Sequence, residues 1–299
     1  NTMSYNNSTF EEQSLYLSGI YIDGVQSVST TVDFPDEDYL SLGYTTPVAS
    51  EIDGVLAGEC SANRVLVTEE DILTGCFPQG VSGHLRYTPD SAYVFETGLI
   101  TDYSCRAEIN EIPELDFTLQ TWGKMFTTIT GYGDQPGPET NENYETFLPN
   151  PGDITMQVTD CAGGHELNLT SNGVRSFEYN IRLEWNEVNT LGASSIPQGF
   201  YVSYPIEVEA IVTAEINTFI EPNFLKKLCQ PIYKELTLNI NKCARDCPES
   251  PQLLRKFVVP NGQLLSYSNF SDMDDVLVVE LIFVSKITSV YGLGKLLSQ

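Results

Sequence analysis

One twenty-residue segment occurs twice in this chain. Residues 24–43 read GVQSVSTTVDFPDEDYLSLG, and residues 173–192 read GVRSFEYNIRLEWNEVNTLG. Both open with Gly-Val, carry Ser at the fourth position and close with Leu-Gly, and they align without a gap 149 positions apart (173 − 24). Because the chain has 299 residues, this offset favours two similar domains, each large enough to bury its own core. A period this long excludes a solenoid.

Both copies alternate apolar and polar residues with the period of a β-strand. The apolar side chains of Val28–Phe34 and Phe177–Leu183 occupy alternate positions in the same register. A one-residue slip would turn every apolar side chain to solvent, so the shared register indicates a shared strand. A second long strand is predicted after each copy, at roughly Ile52–Leu66 and Tyr204–Ile216.

The rest of the chain has the same β character. Two late segments, Leu115–Lys124 and Leu277–Lys286, predict a further strand in each half. Helical periodicity is scarce: the best candidate is Glu221–Leu236, which Pro231 interrupts, and a second short helix is predicted near Thr68.

These patterns predict a mainly β protein with two tandem domains of the β-sandwich or barrel type, each with a short helix. The first domain covers residues 1–150 and the second covers residues 151–299. The segment 131–152 is dense in turn-forming residues and is predicted to contain the linker between them.

The chain is strongly acidic, and the charge is unevenly distributed. The formal net charge is −26. Residues 1–149 contain 24 acidic and 4 basic side chains, whereas residues 150–299 contain 17 acidic and 11 basic ones. Such a surface repels nucleic acid backbones and anionic membranes, which argues against a protein that grips DNA. No run of 18 apolar residues occurs, so we expect no membrane-spanning helix.

Seven cysteines, an odd number, argue against a secreted disulfide scaffold and predict mostly reduced thiols in a protein assembled inside a cell. Cys161 with His165, and Cys243 with Cys247, have spacings that one structural zinc would tolerate. A disulfide from Cys229 to Cys243 or Cys247 is the competing interpretation. Because a zinc would require the two halves to meet at these segments, we expect no metal and no other cofactor.

No catalytic site is predicted. The chain has two histidines, His84 and His165, and neither stands in a constellation of acid, base and nucleophile. The many carboxylates single out no pair for glycoside hydrolysis. We therefore predict a protein that is not an enzyme.

The pattern GVQSVS…LG…P, followed by a long strand, a glycine-closed turn and another long strand, resembles the tail tube proteins of tailed bacteriophages. It also resembles the tube domains of contractile injection systems and of baseplate hubs. The resemblance is best over residues 20–66 and 170–217. It implies small β-sandwich or barrel domains, six of which close into a ring. Because this chain carries the twenty-residue segment twice, the resemblance implies that three chains form a pseudo-hexameric ring.

The resemblance further implies that rings stack into a tube through which DNA leaves the virion, after assembly in the host cytoplasm. The implied partners are other copies of the chain and other tail proteins, namely the terminator, the baseplate and the tape measure protein. Double-stranded DNA would pass transiently without specific binding, and no membrane would be contacted.

Three groups of residues are predicted to serve this assembly. Carboxylates that would repel DNA from the lumen are Asp33, Asp53, Glu59, Glu207, Glu209 and Glu215. Glycines that would set the turns of the repeat are Gly24, Gly43, Gly173 and Gly192. Basic residues that would meet an acidic surface of the next ring are Lys226, Lys227, Lys234, Lys242 and Arg245.

Two other functions remain open from the sequence. A baseplate hub or tube initiator on the same fold would form a single ring instead of a stack. A secreted adhesion protein would instead be a β-sandwich pair held by disulfides.

Overall fold

The computed structural model describes residues 14–33, 36–39, 49–52, 57–66, 72, 80–88, 91–123, 147–160, 168–188, 197–216, 226, 233–242, 252–271 and 277–289. These residues form eighteen strands. The strands of the first half are β1 (Ser14–Leu17), β2 (Ile20–Tyr21), β3 (Val25–Asp33), β4 (Asp36–Tyr39), β5 (Ala49–Ile52), β6 (Ala57–Val65), β7 (Val81–Thr88), β8 (Ser91–Glu108) and β9 (Glu114–Trp122). Those of the second half are β10 (Ile154–Asp160), β11 (Asn168–Ser171), β12 (Val174–Arg182), β13 (Trp185–Val188), β14 (Gly199–Val202), β15 (Ile206–Glu215), β16 (Lys234–Lys242), β17 (Gln252–Ser271) and β18 (Leu277–Ile287).

The strand order repeats. In the first half it is β2-β1-β7-β8-β9-β6-β3, and in the second half it is β11-β10-β16-β17-β18-β15-β12. In each half a two-stranded hairpin, β4-β5 or β13-β14, lies outside this order. All the pairings are antiparallel. The prediction of a mainly β fold of the sandwich or barrel class is therefore confirmed.

The repeat extends to the register of the pairs. β3 pairs with β6 and β12 pairs with β15, and each pair has a bulge just after its first residue, between Val25 and Ser27 or between Val174 and Ser176. The carbonyl of Gly24 accepts a hydrogen bond from the amide of Val65, and the carbonyl of Gly173 accepts one from Glu215, both at 2.9 Å. The two copies of the twenty-residue segment thus have the same backbone pairing.

The two halves share one continuous sheet, because β12 of the second half pairs with β8 of the first. β8 is long enough to pair with β7 near its start and with β12 near its end along one edge, while β9 occupies the other edge. The buried apolar residues of both halves also form one cluster, which includes Phe117 of β9 and Phe283 of β18. The division into separate domains at residue 150 stays a prediction.

The predicted helices are only partly within the described residues. Ile72 and Lys226 have helical backbone, and their neighbours in sequence lie outside the described part. The end of the helix predicted at Glu221–Leu236 is wrong, because β16 begins at Lys234. Alternate side chains of β16 enter the core, so the sheet partners β10 and β17 decide its conformation.

Of the predicted linker, residues 147–152 are described, and the amide of Asn110 donates to the carbonyl of Pro149.

The turn glycines of the repeat differ in conformation. Gly24 has φ of +69°, a left-handed conformation that favours glycine, and it lies in the turn before β3. Among the described glycines, positive φ occurs at Gly19, Gly24, Gly80, Gly123 and Gly152, so Gly173 does not share it. Gly43 and Gly192 lie outside the described residues.

The buried imidazole of His84 predicts a loss of stability in mild acid. Its ring stacks on Tyr16, with centroids 4.7 Å apart, and burial followed by the charge of Arg86 lowers its pKa below 6.5. As the pH falls, the unfolded chain therefore protonates His84 before the folded chain does. The contribution of the neutral imidazole to the free energy of unfolding is complete above pH ~6.5 and is lost as the pH falls toward the lowered folded pKa. We expect the free energy of urea unfolding to fall more steeply over this range in the wild type than in His84→Gln, by at most about 1.4 kcal/mol per pH unit. Parallel slopes would contradict the assignment.

Candidate assembly site

The central strands of the sheet curve around a cavity of about 1250 Å³. Strands β8 and β9 of the first half and β12, β15, β17 and β18 of the second contribute its lining, which we call the concave face. Its charged lining residues are Asp102, Asp116, Arg182, Glu207, Glu209 and Lys286.

Strand periodicity places these side chains together. In β15, Val208 and Ala210 are fully buried, whereas the alternate residues Glu207 and Glu209 point to the opposite face. β9 repeats the arrangement, with Phe117 in the core and Asp116 on the concave face. The apolar positions of each strand therefore fix the direction of its carboxylates.

Cations neutralise only part of the concave face. Arg182 lies 3.6 Å from Asp102, and Lys286 lies 3.2 Å from Glu207. Both pairs are exposed to solvent and contribute little to stability. The carboxylate of Asp116 accepts a hydrogen bond of 2.8 Å from the side-chain amide of Asn63. Asp116 and Glu209 have no ion-pair partner among the described residues, so the face keeps a net negative charge.

The predicted lumen residues fall in different places. Glu207 and Glu209 line the cavity. Glu59 is exposed on β6 and extends the same surface, because the Ser61 hydroxyl contacts both Glu59 (3.2 Å) and Thr118 (3.0 Å), a lining residue. Glu215 is half-buried and is paired with Arg175 at 3.1 Å.

Two lumen candidates have no described side-chain environment, and two lining residues were missed. Asp33 ends β3 opposite Ala57, and Asp53 lies outside the described residues. Asp102 and Asp116 were not predicted, although each stands at an alternate position within a strand, which is the signal that could have identified them.

The junction of the halves is a strand pair of seven residue pairs, from Ser176 opposite Glu108 to Arg182 opposite Asp102. On its core side, Phe177, Tyr179 and Ile181 are buried. Beyond the ladder, the indole of Trp185 donates to the carbonyl of Ile100 at 2.6 Å. The junction therefore combines backbone pairing with a buried apolar side.

The hairpin β13-β14 of the second half also packs on the first half. The indole of Trp122, at the end of β9, donates to the carboxylate of Glu187 at 2.9 Å. The ring of Trp122 lies 4.4 Å from that of Phe200, between centroids. These contacts join the halves next to the strand pair.

The matching edge of the second half has no further strand partner among the described residues. GLITDYS (98–104) and GQLLSYS (262–268) occupy equivalent positions 164 residues apart (262 − 98), with equivalent bulges after Ile100 and Leu264. Tyr103 is 1% exposed because β12 covers it, whereas its equivalent Tyr267 is 48% exposed. Within the described residues, the stretch 263–271 of β17 pairs only with β18.

The first strand of the repeat, β3, also has one open edge among the residues that the structure describes. Within the described part of the chain, β3 pairs only with β6, whereas its equivalent β12 has partners on both edges. Val28 and Val32 are half-buried, and their equivalents Phe177 and Ile181 are buried. Within the part of the chain that the structure describes, each half therefore leaves open the edge that the other half uses.

Three of the predicted stacking cations, Lys226, Lys234 and Lys242, lie within the described residues. Lys226 is exposed, and Lys242 is half-buried at the end of β16. Lys227 and Arg245 lie outside the described residues. Lys234 does not fit the prediction: it is 1% exposed, because the alternation of β16 points it inward with Leu236. A side chain in that position does not reach a neighbouring ring.

The described residues show no metal cluster. No group of three or more His, Cys, Asp and Glu side chains is arranged to hold an ion in that part of the chain. The zinc candidates Cys161, His165, Cys243 and Cys247 lie outside it. Cys60 and Cys105 are buried and reduced, and burial raises the pKa of Cys60 to about 12. Such a thiol is unreactive at neutral pH, so it is a packing residue.

No helix among the described residues has the length and hydrophobicity needed to cross a bilayer. No protein-family model matches this sequence, and no curated protein resembles it significantly.

Proposed function

We propose that this chain is a structural protein of a bacteriophage tail, whose two halves occupy two of the six positions of a tube ring. Three chains close the ring, rings stack into a tube, and double-stranded DNA passes through the lumen. Other tail proteins, namely the terminator, the baseplate and the tape measure protein, contact the tube in the virion.

The observation that carries this proposal is the junction between β8 and β12. It joins two halves of the same strand order into one curved sheet, and among the described residues the corresponding edges, β3 and residues 263–271 of β17, have no second strand partner. An interface between two different edges of the same chain is heterologous, and it closes into a ring when its rotation allows. Ring closure would also remove long edges that otherwise invite aggregation.

The concave face supports the role in DNA passage. In the proposed ring it lines the lumen, where Asp116 and Glu209 would repel phosphates over a screening length of roughly 8 Å. Repulsion from all sides lets a polyanion move without being held.

Charge reversal on the concave face should make the ring retain DNA. With Asp116→Lys and Glu209→Lys together, a ring of three chains presents six introduced lysines. We expect the assembled protein to bind a labelled duplex at 50 mM salt and to lose on the order of a thousandfold in affinity by 200 mM, because counterion release scales with the number of phosphate contacts. Glu111→Lys with Glu184→Lys makes the same change of net charge on exposed residues that do not line the cavity. Fluorescence anisotropy should show binding by the first variant only. Equal binding by both variants would contradict a lumen role for this face.

The ring itself is tested by the mass of the smallest assembled particle. Three chains of 33.2 kDa give about 100 kDa (3 × 33.2), and stacked rings give multiples of that mass. We expect light scattering after size exclusion to find these masses at high protein concentration. Rings of three chains that never stack would replace the tube with the baseplate hub. A monomer at every concentration would contradict both ring functions.

A further inference from the structure

We propose that neighbouring chains join by pairing β3 of one copy with residues 266–271 of β17 of the next. The register would repeat that of the β8–β12 junction. This inference rests on the proposed ring and adds to it the two edges that meet and the residues that face each other.

The register follows from the equivalent positions. In the junction, Asn180 is opposite Ser104 and Ile181 is opposite Tyr103. β12 corresponds to β3 at an offset of 149 (174 − 25), and β8 corresponds to β17 at an offset of 164 (262 − 98). Thr31 of one copy is therefore placed opposite Ser268 of the next, and Val32 opposite Tyr267.

The core side of the proposed seam has suitable chemistry. Tyr267 is a large aromatic residue that is 48% exposed next to this edge. Val32 of the incoming strand is half-buried and would cover Tyr267, as Ile181 covers Tyr103. Burial of this apolar surface would drive the association.

The polar side raises no charge conflict. Thr31 of the incoming strand would be opposite Ser268, so two hydroxyl side chains would face each other. In the junction, the corresponding pairs include Arg182 with Asp102, an exposed ion pair at 3.6 Å. The seam between chains lacks this ion pair and the hydrogen bonds of Trp122 and Trp185, so it would be weaker than the junction within a chain.

The hydrogen-bonding pattern identifies the best positions for a cross-link. The amide of Leu183 donates to the carbonyl of Thr101, so the pair of Asn180 and Ser104, three residues along, is a non-hydrogen-bonded pair. Such pairs have Cα atoms about 4.5 Å apart, which a disulfide can span. Thr31 and Ser268 are the equivalent pair, and both are exposed.

The test is oxidation of the full chain carrying Thr31→Cys and Ser268→Cys, followed by a non-reducing gel. We expect most of the protein to run as covalent dimers and trimers. The matched control is Ser27→Cys with Ser268→Cys, which uses the same strands and the same face but lies four residues out of register, or about 13 Å. This control and the two single variants, which report reaction with native cysteines, should remain monomeric on the gel.

The outcomes separate the seam from the proposed function. Three-chain particles in which the two double variants cross-link equally, or not at all, would overturn the seam and leave the ring standing. Cross-links specific to Thr31 and Ser268 in particles of another chain number would support the seam and contradict the pseudo-hexamer. A chain that neither assembles nor cross-links would contradict both.

Discussion

Asn269→Pro should turn the assembled protein into folded monomers. In the junction, the carbonyl of Thr101 accepts from Leu183 and the amide of Ile109 donates to Arg175, so alternate residues of β8 direct their backbone polar groups at β12. Asn269 is the equivalent of Cys105 in this series (105 + 164), and its amide therefore points away from β18. Proline removes that donor and places its ring in the path of the incoming strand. Edge positions tolerate proline, so the fold should survive.

The neighbouring position provides the control. The amide of Ser268 points toward β18, so Ser268→Pro removes a ladder hydrogen bond inside the chain. Leaving its acceptor unsatisfied should cost about 1–3 kcal/mol of stability. We expect sedimentation velocity to find only monomers of Asn269→Pro, with a thermal midpoint within a few degrees of that of the monomeric wild type. Trimers of Asn269→Pro, or equal destabilisation by both prolines, would contradict the edge assignment.

Tyr103→Ala should destabilise the chain far more than Tyr267→Ala, although the two tyrosines occupy equivalent strand positions. Tyr103 is buried beneath the junction, and truncation of an aromatic side chain at such a site costs about 3–5 kcal/mol. Tyr267 is half exposed, so its truncation should cost less than about 1 kcal/mol in the monomer. In the assembled protein, Tyr267→Ala should raise the dissociation constant at least about tenfold, because Val32 of the next chain loses its contact.

Both effects can be measured without confusing stability and assembly. Urea unfolding of each variant in the Asn269→Pro background gives the stability of the monomer, and dilution followed by light scattering gives the dissociation constant. Tyr103→Phe and Tyr267→Phe keep the ring and should behave almost like the wild type. A large loss of monomer stability in Tyr267→Ala would show that this residue already packs within its own chain.

Much of the strand framework was predictable, because apolar and polar residues alternate in both copies of the twenty-residue segment. This alternation indicates both the strand and its buried face. The strand predicted at Tyr204–Ile216 is β15, and the one predicted at Ile52–Leu66 contains β6. Segment β16 was missed because its start lies in a stretch rich in Lys and Leu, which has helical propensity, and pairing with β10 overrides that preference.

The assembly site was only partly predictable. Alternation placed Glu207 and Glu209 on one face, and they line the cavity. The pairing of β8 with β12 brings together strands about seventy residues apart, and no local pattern encodes such a contact. The different burial of Tyr103 and Tyr267 results from that pairing, so it could not be predicted from the sequence. For the same reason the sequence predicts a surface cation at Lys234, whereas the sheet turns this side chain inward.

End-on electron micrographs of the assembled protein test the central claim most directly. We predict hollow rings with six similar lobes, in which two kinds of contact alternate because the junction within a chain differs from the seam between chains. Averages with threefold symmetry and approximate sixfold density would support the account. Compact particles without a lumen, or monomers at high concentration, would contradict it.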